Sequence, residues 1–196
     1  MNNYIKNLLK LLLCCSLSTT ILAQDTVSIN KEKVIIDTSV LMNYVFKDSL
    51  DREVRLSDFN GKFLFVDLWY SGCGGCITVN EGLNVVHEKL KDSNIVFFSI
   101  SVDKNKAMWL ASITTNAKPS KMNPWAGRYV PHKGTTVLYT GGTGYNNAFI
   151  KQMVPTNVYP KLLMINKNGE LINEKPPRPD HEPEVLIEFI RSKMKP

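Results

Sequence analysis

The sequence is short of cysteine, of long apolar runs and of charge of one sign, and each shortage excludes something. Four Cys among 196 residues are too few for a disulfide-stapled miniprotein. No uncharged apolar stretch reaches the ~20 residues that a mature membrane-spanning helix needs. Repeats and low-complexity tracts are missing, so the chain is not collagen-like. The formal charge of +6 contains no basic block, and no nucleic-acid footprint follows. What is present is ordinary: 43% hydrophobic and 21% charged residues, the balance of a soluble globular protein and too rich in core residues for disorder.

The N-terminus differs from the rest. Residues 1–23 carry Lys6 and Lys10, then an uncharged, mostly apolar run from Leu11 to Ala23, before Gln24-Asp25 restores polarity. A basic start, a short apolar middle and a small terminal residue describe a secretory signal peptide. Cleavage is expected after Ala23, although Ile21 is a poor small-residue match two positions earlier. The competing reading is an uncleaved membrane anchor. Lipidation at Cys14 or Cys15 is disfavoured because Leu13 and Cys14 precede them where a small residue is needed. Cleavage removes two lysines and lowers the charge from +6 to +4. It also removes Cys14 and Cys15, leaving one pair, Cys73 and Cys76.

Residues 24–42 form a lead-in, with a strand expected around Val34–Ile36, and residues 43–196 form one domain. Asn43 to Phe59 reads as a hairpin, with Tyr44 and Phe46 then Val54 and Leu56 alternating about a polar turn. Lys62 to Tyr70 and Asn94 to Val102 are near-continuous apolar runs, the pattern of central strands covered on both faces. Between them helical periodicity runs from Cys76 to about Lys91, with Leu83, Val86, His87 and Leu90 on one face. Asp103 is expected to cap a helix through Met108, Trp109 and Ile113. Residues 116–134 read as a long loop, Thr135–Thr140 as a strand, and 144–153 as helical. Lys167-Asn168-Gly169 turns a hairpin, Pro176–Pro183 links, and a last helix from Glu184 to Lys193 presents Val185, Leu186, Phe189 and Ile190. This order predicts an α/β domain with a mixed central β-sheet flanked by helices and an N-terminal β-hairpin extension.

The chemistry concentrates in Phe65 to Cys76, FVDLWYSGCGGC. A buried strand meets C-x-x-C at a helix start, where unpaired amide N–H groups and the helix dipole stabilise a thiolate. Cys73, the more exposed, would attack; Cys76, one turn later, would resolve. Three blander readings compete. A structural disulfide closing so small a loop adds only about 2 kcal/mol. A zinc site needs four ligands, and His87, His132 and His181 lack paired spacing. A copper carrier using the pair with a distal His such as His132 is the non-enzymatic alternative.

VDLWYSGCGGC resembles the thioredoxin-superfamily signature, with Asp67, Trp69, Cys73 and Cys76 at its strand Asp, strand Trp and two Cys. YPKLLMINKNGELI (Tyr159–Ile172) resembles the family's Pro-opened strand and hairpin, with Pro160 at the position that is cis and faces the active site. RLSDFNGKFLFVDLW and SISVDKNKAMW are similar to the TlpA/ResA-like branch of exported thiol–disulfide oxidoreductases, so the resemblance spans most of residues 43–191. It implies a thioredoxin-like fold and dithiol–disulfide exchange at Cys73 and Cys76. Asp67 would be buried with a raised pKa and exchange a proton with Cys76. Pro160, Tyr159 and Trp69 would line the substrate groove, though Tyr159 and Trp69 could also be plain core; Trp109, Trp125 and His87 read as structural. No cofactor beyond the pair and no metal is implied. The expected partners are protein or peptide disulfides and a membrane thiol–disulfide electron donor, for an exported, periplasmic monomer acting as a reductant. An oxidase or isomerase on the same fold is the alternative. The chain also departs from the pattern. Gly72 replaces the Trp before the first Cys, which predicts a more open rim. The dipeptide is Gly-Gly, and Val79 and Glu81 stand where the branch often carries Glu and Pro.

Overall fold

The computed structural model describes residues 41–195. The predicted signal segment, its cleavage point, the strand around Val34–Ile36, Cys14 and Cys15 lie outside the described residues. Leu41 and Met42, assigned above to the lead-in, are already buried in the core of the domain.

The hairpin forms as expected, from β1 (Val45–Lys47) and β2 (Glu53–Arg55), paired antiparallel with Phe46 opposite Val54. A 3-10 turn over Leu56–Phe59 leads into β3 (Phe63–Trp69), whose seven residues are all buried. Helix α1 (Gly74–Leu90) crosses over to β4 (Ile95–Ser101), parallel to β3. After α2 (Lys106–Ile113) and a long loop, β5 (Thr136–Tyr139) runs parallel to β4. Then come α3 (Ala148–Met153), β6 (Lys161–Ile165) antiparallel to β3, β7 (Leu171–Asn173), and α4 (Pro183–Met194). The sheet order is β2-β1-β5-β4-β3-β6-β7, which seats β3 between a parallel and an antiparallel neighbour. Both ladders and both faces of β3 are covered, which is why its sequence is apolar without alternation.

Period two along β3 sorts its side chains. Leu64, Val66 and Leu68 join Phe149 and Ile150 of α3 in one cluster. Phe63 and Phe65 join Val79, Leu83, Val86 and Leu90 of α1, with Leu186 and Ile190 of α4, in another. Asp67 and Trp69 share that second parity, so the strand register alone delivers them to the face under α1.

Two local expectations change. Asp103 does not cap α2: the cap is Asn105, whose side chain accepts from the Met108 amide at 3.1 Å. Asp103 lies two residues before that cap and is drawn instead to Ser71 and Ser101. On α4 the buried stripe is Leu186, Ile187 and Ile190, whereas Val185 is exposed. A helix rotation that buries Ile187 turns its neighbour two positions back toward solvent. Among the described residues no helix is long and apolar enough to cross a membrane.

Candidate active site

Cys73 and Cys76 are joined as a disulfide with 5.2 Å between their Cα atoms. Cys73 is the N-cap of α1, and its Sγ accepts from the Cys76 amide at 3.1 Å. No acidic residue stands in the first turn of α1, so its positive pole has no carboxylate to neutralise it. The exposure differs as expected: 6% for Cys73 and none for Cys76. Gly72, at φ 94, allows the left-handed turn that brings the chain off β3 into this cap.

The turn is anchored from the next strand. The Asp103 carboxylate accepts from the Ser71 amide (3.0 Å), the Ser71 hydroxyl (2.7 Å) and the Ser101 hydroxyl (2.7 Å). Ser71 also bonds Ser112 of α2 at 2.7 Å.

On the face of β3 under α1, Asp67 is 1% exposed. Burial pushes its carboxyl up to about 7, against the opposing pull of a Tyr129 hydrogen bond and the Arg178 charge. Tyr129 donates to Asp67 Oδ2, and its hydroxyl accepts from Ser99 at 3.2 Å. Ser99 in turn accepts from the Trp69 indole N–H at 2.8 Å. The Tyr129 ring stacks on Trp69 at 3.5 Å between centroids. Burial and the neighbouring Asp67 charge hold the Tyr129 hydroxyl well above its ordinary pKa, so it acts as a donor. Asp67 Oδ1, by contrast, is buried with no hydrogen-bond partner. Trp69 packs with both cysteines in a buried cluster, supporting the pair from below and not from an open groove.

The rim is built by three later segments. The Tyr159–Pro160 peptide is cis, and Pro160 Cδ lies 3.7 Å from where a Cβ on Gly75 would sit. Tyr159, half-buried, packs edge-on against Tyr70 at 5.5 Å and beside Tyr145 at 5.9 Å. Burial also raises its hydroxyl, which has no partner. Arg178 Nη2 stands 3.7 Å from the same Gly75 position. It gets there because Pro179 crosses α1 at Gly82, where a Cβ would lie 2.2 Å from the Pro179 carbonyl oxygen. Asp180 holds the guanidinium through Nε at 3.2 Å and Nη2 at 2.7 Å.

The expectation of an open rim at Gly72 is not met. The Trp125 indole lies over it, 2.8 Å from where a Cβ would be. A tryptophan from a remote loop thus covers the place that the sequence motif leaves bare. Trp125, Tyr129, Ser99 and Arg178 were all missed as site residues. The available signal was the pair of large aromatics in an otherwise polar loop, since such side chains need something to cover.

The histidines do not gather at the pair. His87 stacks on Phe97 at 4.4 Å and beside His132 at 4.2 Å, while His132 bonds Glu88 at 3.0 Å. Those groups lie toward the far end of α1, about 20 Å along its axis from Cys73. His181 bonds neither cysteine. Among the described residues no group of three or more His, Cys, Asp or Glu is placed to hold a metal.

Solved structures share this architecture. A proposed thiol-disulfide oxidoreductase from Bacteroides vulgatus is 24% identical with a TM-score of 0.57, covering 76% of this chain and 86% of its own. The thioredoxin domain of a thiol-disulfide oxidoreductase from the same species is 16% identical (TM-score 0.57; 78% and 93% covered). A thiol-disulfide oxidoreductase from Bacteroides fragilis is 15% identical (TM-score 0.57; 77% and 96% covered). These likenesses establish a thioredoxin-like fold. No curated protein sequence matches the chain. The family model described as Redoxin matches residues 44–186, a span that holds Asp67, the disulfide and Pro160, and the chain belongs to that family.

Proposed function

We propose that the chain is an exported thiol–disulfide oxidoreductase of the TlpA/ResA-like branch that reduces protein disulfides. The observation that carries this reading is the Cys73–Cys76 disulfide on the N-terminus of α1, with Cys73 6% exposed and Cys76 fully buried. Such a bond staples only a three-residue separation, so exchange chemistry explains it better than stability.

In the reduced protein, the Cys73 thiolate, stabilised by the helix N-terminus, attacks a substrate disulfide and expels one substrate thiolate. The Cys76 thiol then gives its proton to Asp67, whose pKa near 7 suits a base at neutral pH. The Cys76 sulfur attacks Cys73 Sγ, the Cys73–Cys76 bond forms, and the second substrate thiolate leaves and takes a proton from solvent. Pro160, beside Gly75, offers the preceding backbone to an extended substrate segment, with Tyr159 as a wall. The pair itself is the redox group, and no further cofactor is used. A membrane thiol–disulfide donor restores the dithiol. Export rests on the basic and then apolar residues 1–23. The reducing direction and the monomeric state rest on the branch resemblance alone, because direction depends on potential relative to the compartment.

A glutathione redox titration, read by alkylation and mass, tests the centre: one reversible two-electron couple is expected. No couple in that titration sinks the reading. Cys76→Ser should trap mixed disulfides through Cys73 and Cys73→Ser should trap none; equal trapping contradicts the roles. A potential close to those of strong oxidants would favour the oxidase.

A further inference from the structure

The site described so far leaves one polar feature unused. Asp67 Oδ2 is taken by Tyr129, while Oδ1 is buried without a partner. Asp67 also lines a small cavity between the sheet and α1, further along the helix from the cysteine pair. Its other polar walls are Asn80, Asn84, His87, Ser99, Tyr129 and Thr135. The space open to the centre of a water molecule is about 10 Å³, enough for one. A buried oxygen without a partner in a polar cavity of that size is a place where water belongs.

The far wall of the cavity leads outward. Thr135 Oγ1 bonds His87 Nδ1 at 2.9 Å. The other ring nitrogen, Nε2, lies 3.1 Å from where a Cβ on Gly134 would sit, and Gly134 is exposed. The absence of a side chain at 134 therefore leaves this nitrogen close to the surface. His132 stands beside it, bonded to Glu88.

We propose that this cavity is the proton route of the resolving step, running from Asp67 Oδ1 through water held in the cavity, Thr135 Oγ1 and the His87 ring to solvent at Gly134. The inference rests on the role proposed for Asp67. When Cys76 attacks the mixed disulfide, the S–H bond of Cys76 breaks and its proton goes to Asp67. The substrate covers the rim at that moment, and Asp67 regains its charge through the cavity. One proton enters the carboxyl and one leaves the imidazole, with no net change in the relay. A neutral imidazole suits this task because one nitrogen accepts while the other donates. His87 is held neutral by its burial, reinforced by His132 and opposed by Glu88, which together put its pKa at about 4. The charged and titratable groups facing Asp67 are Tyr129 and Arg178; those facing His87 are His132 and Glu88.

The direct test is the rate at which Asp67 exchanges its proton. In the oxidised full-chain protein, a photoacid pH jump is followed by time-resolved infrared at the carbonyl band of protonated Asp67, identified by its loss in Asp67→Asn. Thr135→Val, His87→Phe and Gly134→Ala should each slow the growth of that band by about a hundredfold, the low end of what a positioned proton carrier contributes. Thr135→Ser, which keeps the hydroxyl, should restore it. Growth at the unaltered rate in Thr135→Val and His87→Phe, or no Asp67 band at all, overturns the route. A glutathione titration of the same variants keeps the two ideas apart. An intact Cys73–Cys76 couple with unaltered proton exchange refutes the route alone, whereas loss of the couple in the unaltered protein refutes the proposed function.

Discussion

The two faces of β3 are made from adjacent residues of one strand, and they differ in kind. On one face Leu64, Val66 and Leu68 meet Phe149, Ile150 and Leu163 in an aliphatic and aromatic core. On the other, Phe65 is followed by Asp67 and Trp69, which carry a hydrogen-bonded chain through Ser99 and Tyr129. The first face supplies stability through burial of apolar surface. The second gives up part of that gain to keep an ionisable carboxyl out of water. A single strand can hold both because its side chains alternate, so chemistry and packing do not compete for the same positions.

The comparison is sharpest in its pH dependence. Burial raises Asp67 in the folded protein to about 7 from 3.8. The native state therefore keeps a proton that the unfolded chain has released between those values. The stability associated with this group is fully present below about pH 4 and is lost as pH rises through 7. Its size is about 4 kcal/mol from a shift of roughly three units. Urea unfolding of the oxidised protein should show this fall, and Asp67→Asn should remove it. The same fall in Asp67→Asn would mean that the carboxyl is not the polar centre of its face.

The dry face should answer differently. Leu64→Ala removes a fully buried side chain and should cost about 3 kcal/mol at every pH. It should leave the Cys73–Cys76 potential unaltered. A shifted potential, measured against glutathione, would show that the two faces are coupled.

The smallest effect separates the parts of the polar face. Tyr129→Phe keeps the stacking on Trp69 but removes the hydrogen bond that favours the Asp67 carboxylate. The Asp67 midpoint should rise by about one unit, equivalent to ~1.5 kcal/mol for a bond to a charged acceptor. A midpoint that stays or falls, read from the infrared carbonyl band, would show that Tyr129 does not act as the donor.

Much of the fold was legible along the chain because its signals are local. The apolar run of β3, the periodicity of α1 and the Lys167-Asn168-Gly169 turn each report their own neighbourhood. His87 was rightly placed with Leu83, Val86 and Leu90 on the buried face of α1. The cap of α2 was misread because Asp103 and Asn105 are equally good caps in isolation. Only the position of Ser71, 32 residues earlier, decides which one is drawn away. The open rim was misread for a similar reason: Gly72 has no side chain, but Trp125 comes from a loop whose path the motif does not encode.

By itself, then, the sequence determined the C-x-x-C spacing of Cys73 and Cys76, the helix that begins there, and the strand parity that turns Asp67 toward the face under α1. These depend on spacings of two or three residues, which backbone geometry converts directly into direction; the match at Pro160 came from the resemblance of its segment. Tertiary structure alone decided the surroundings. It placed Tyr129 on Asp67, Trp125 over Gly72, Arg178 beside Gly75, and His87 with Thr135 behind the carboxyl. Each joins residues from separate parts of the chain, and such pairs are chosen by packing and by the need to satisfy buried polar groups, for which no local pattern exists.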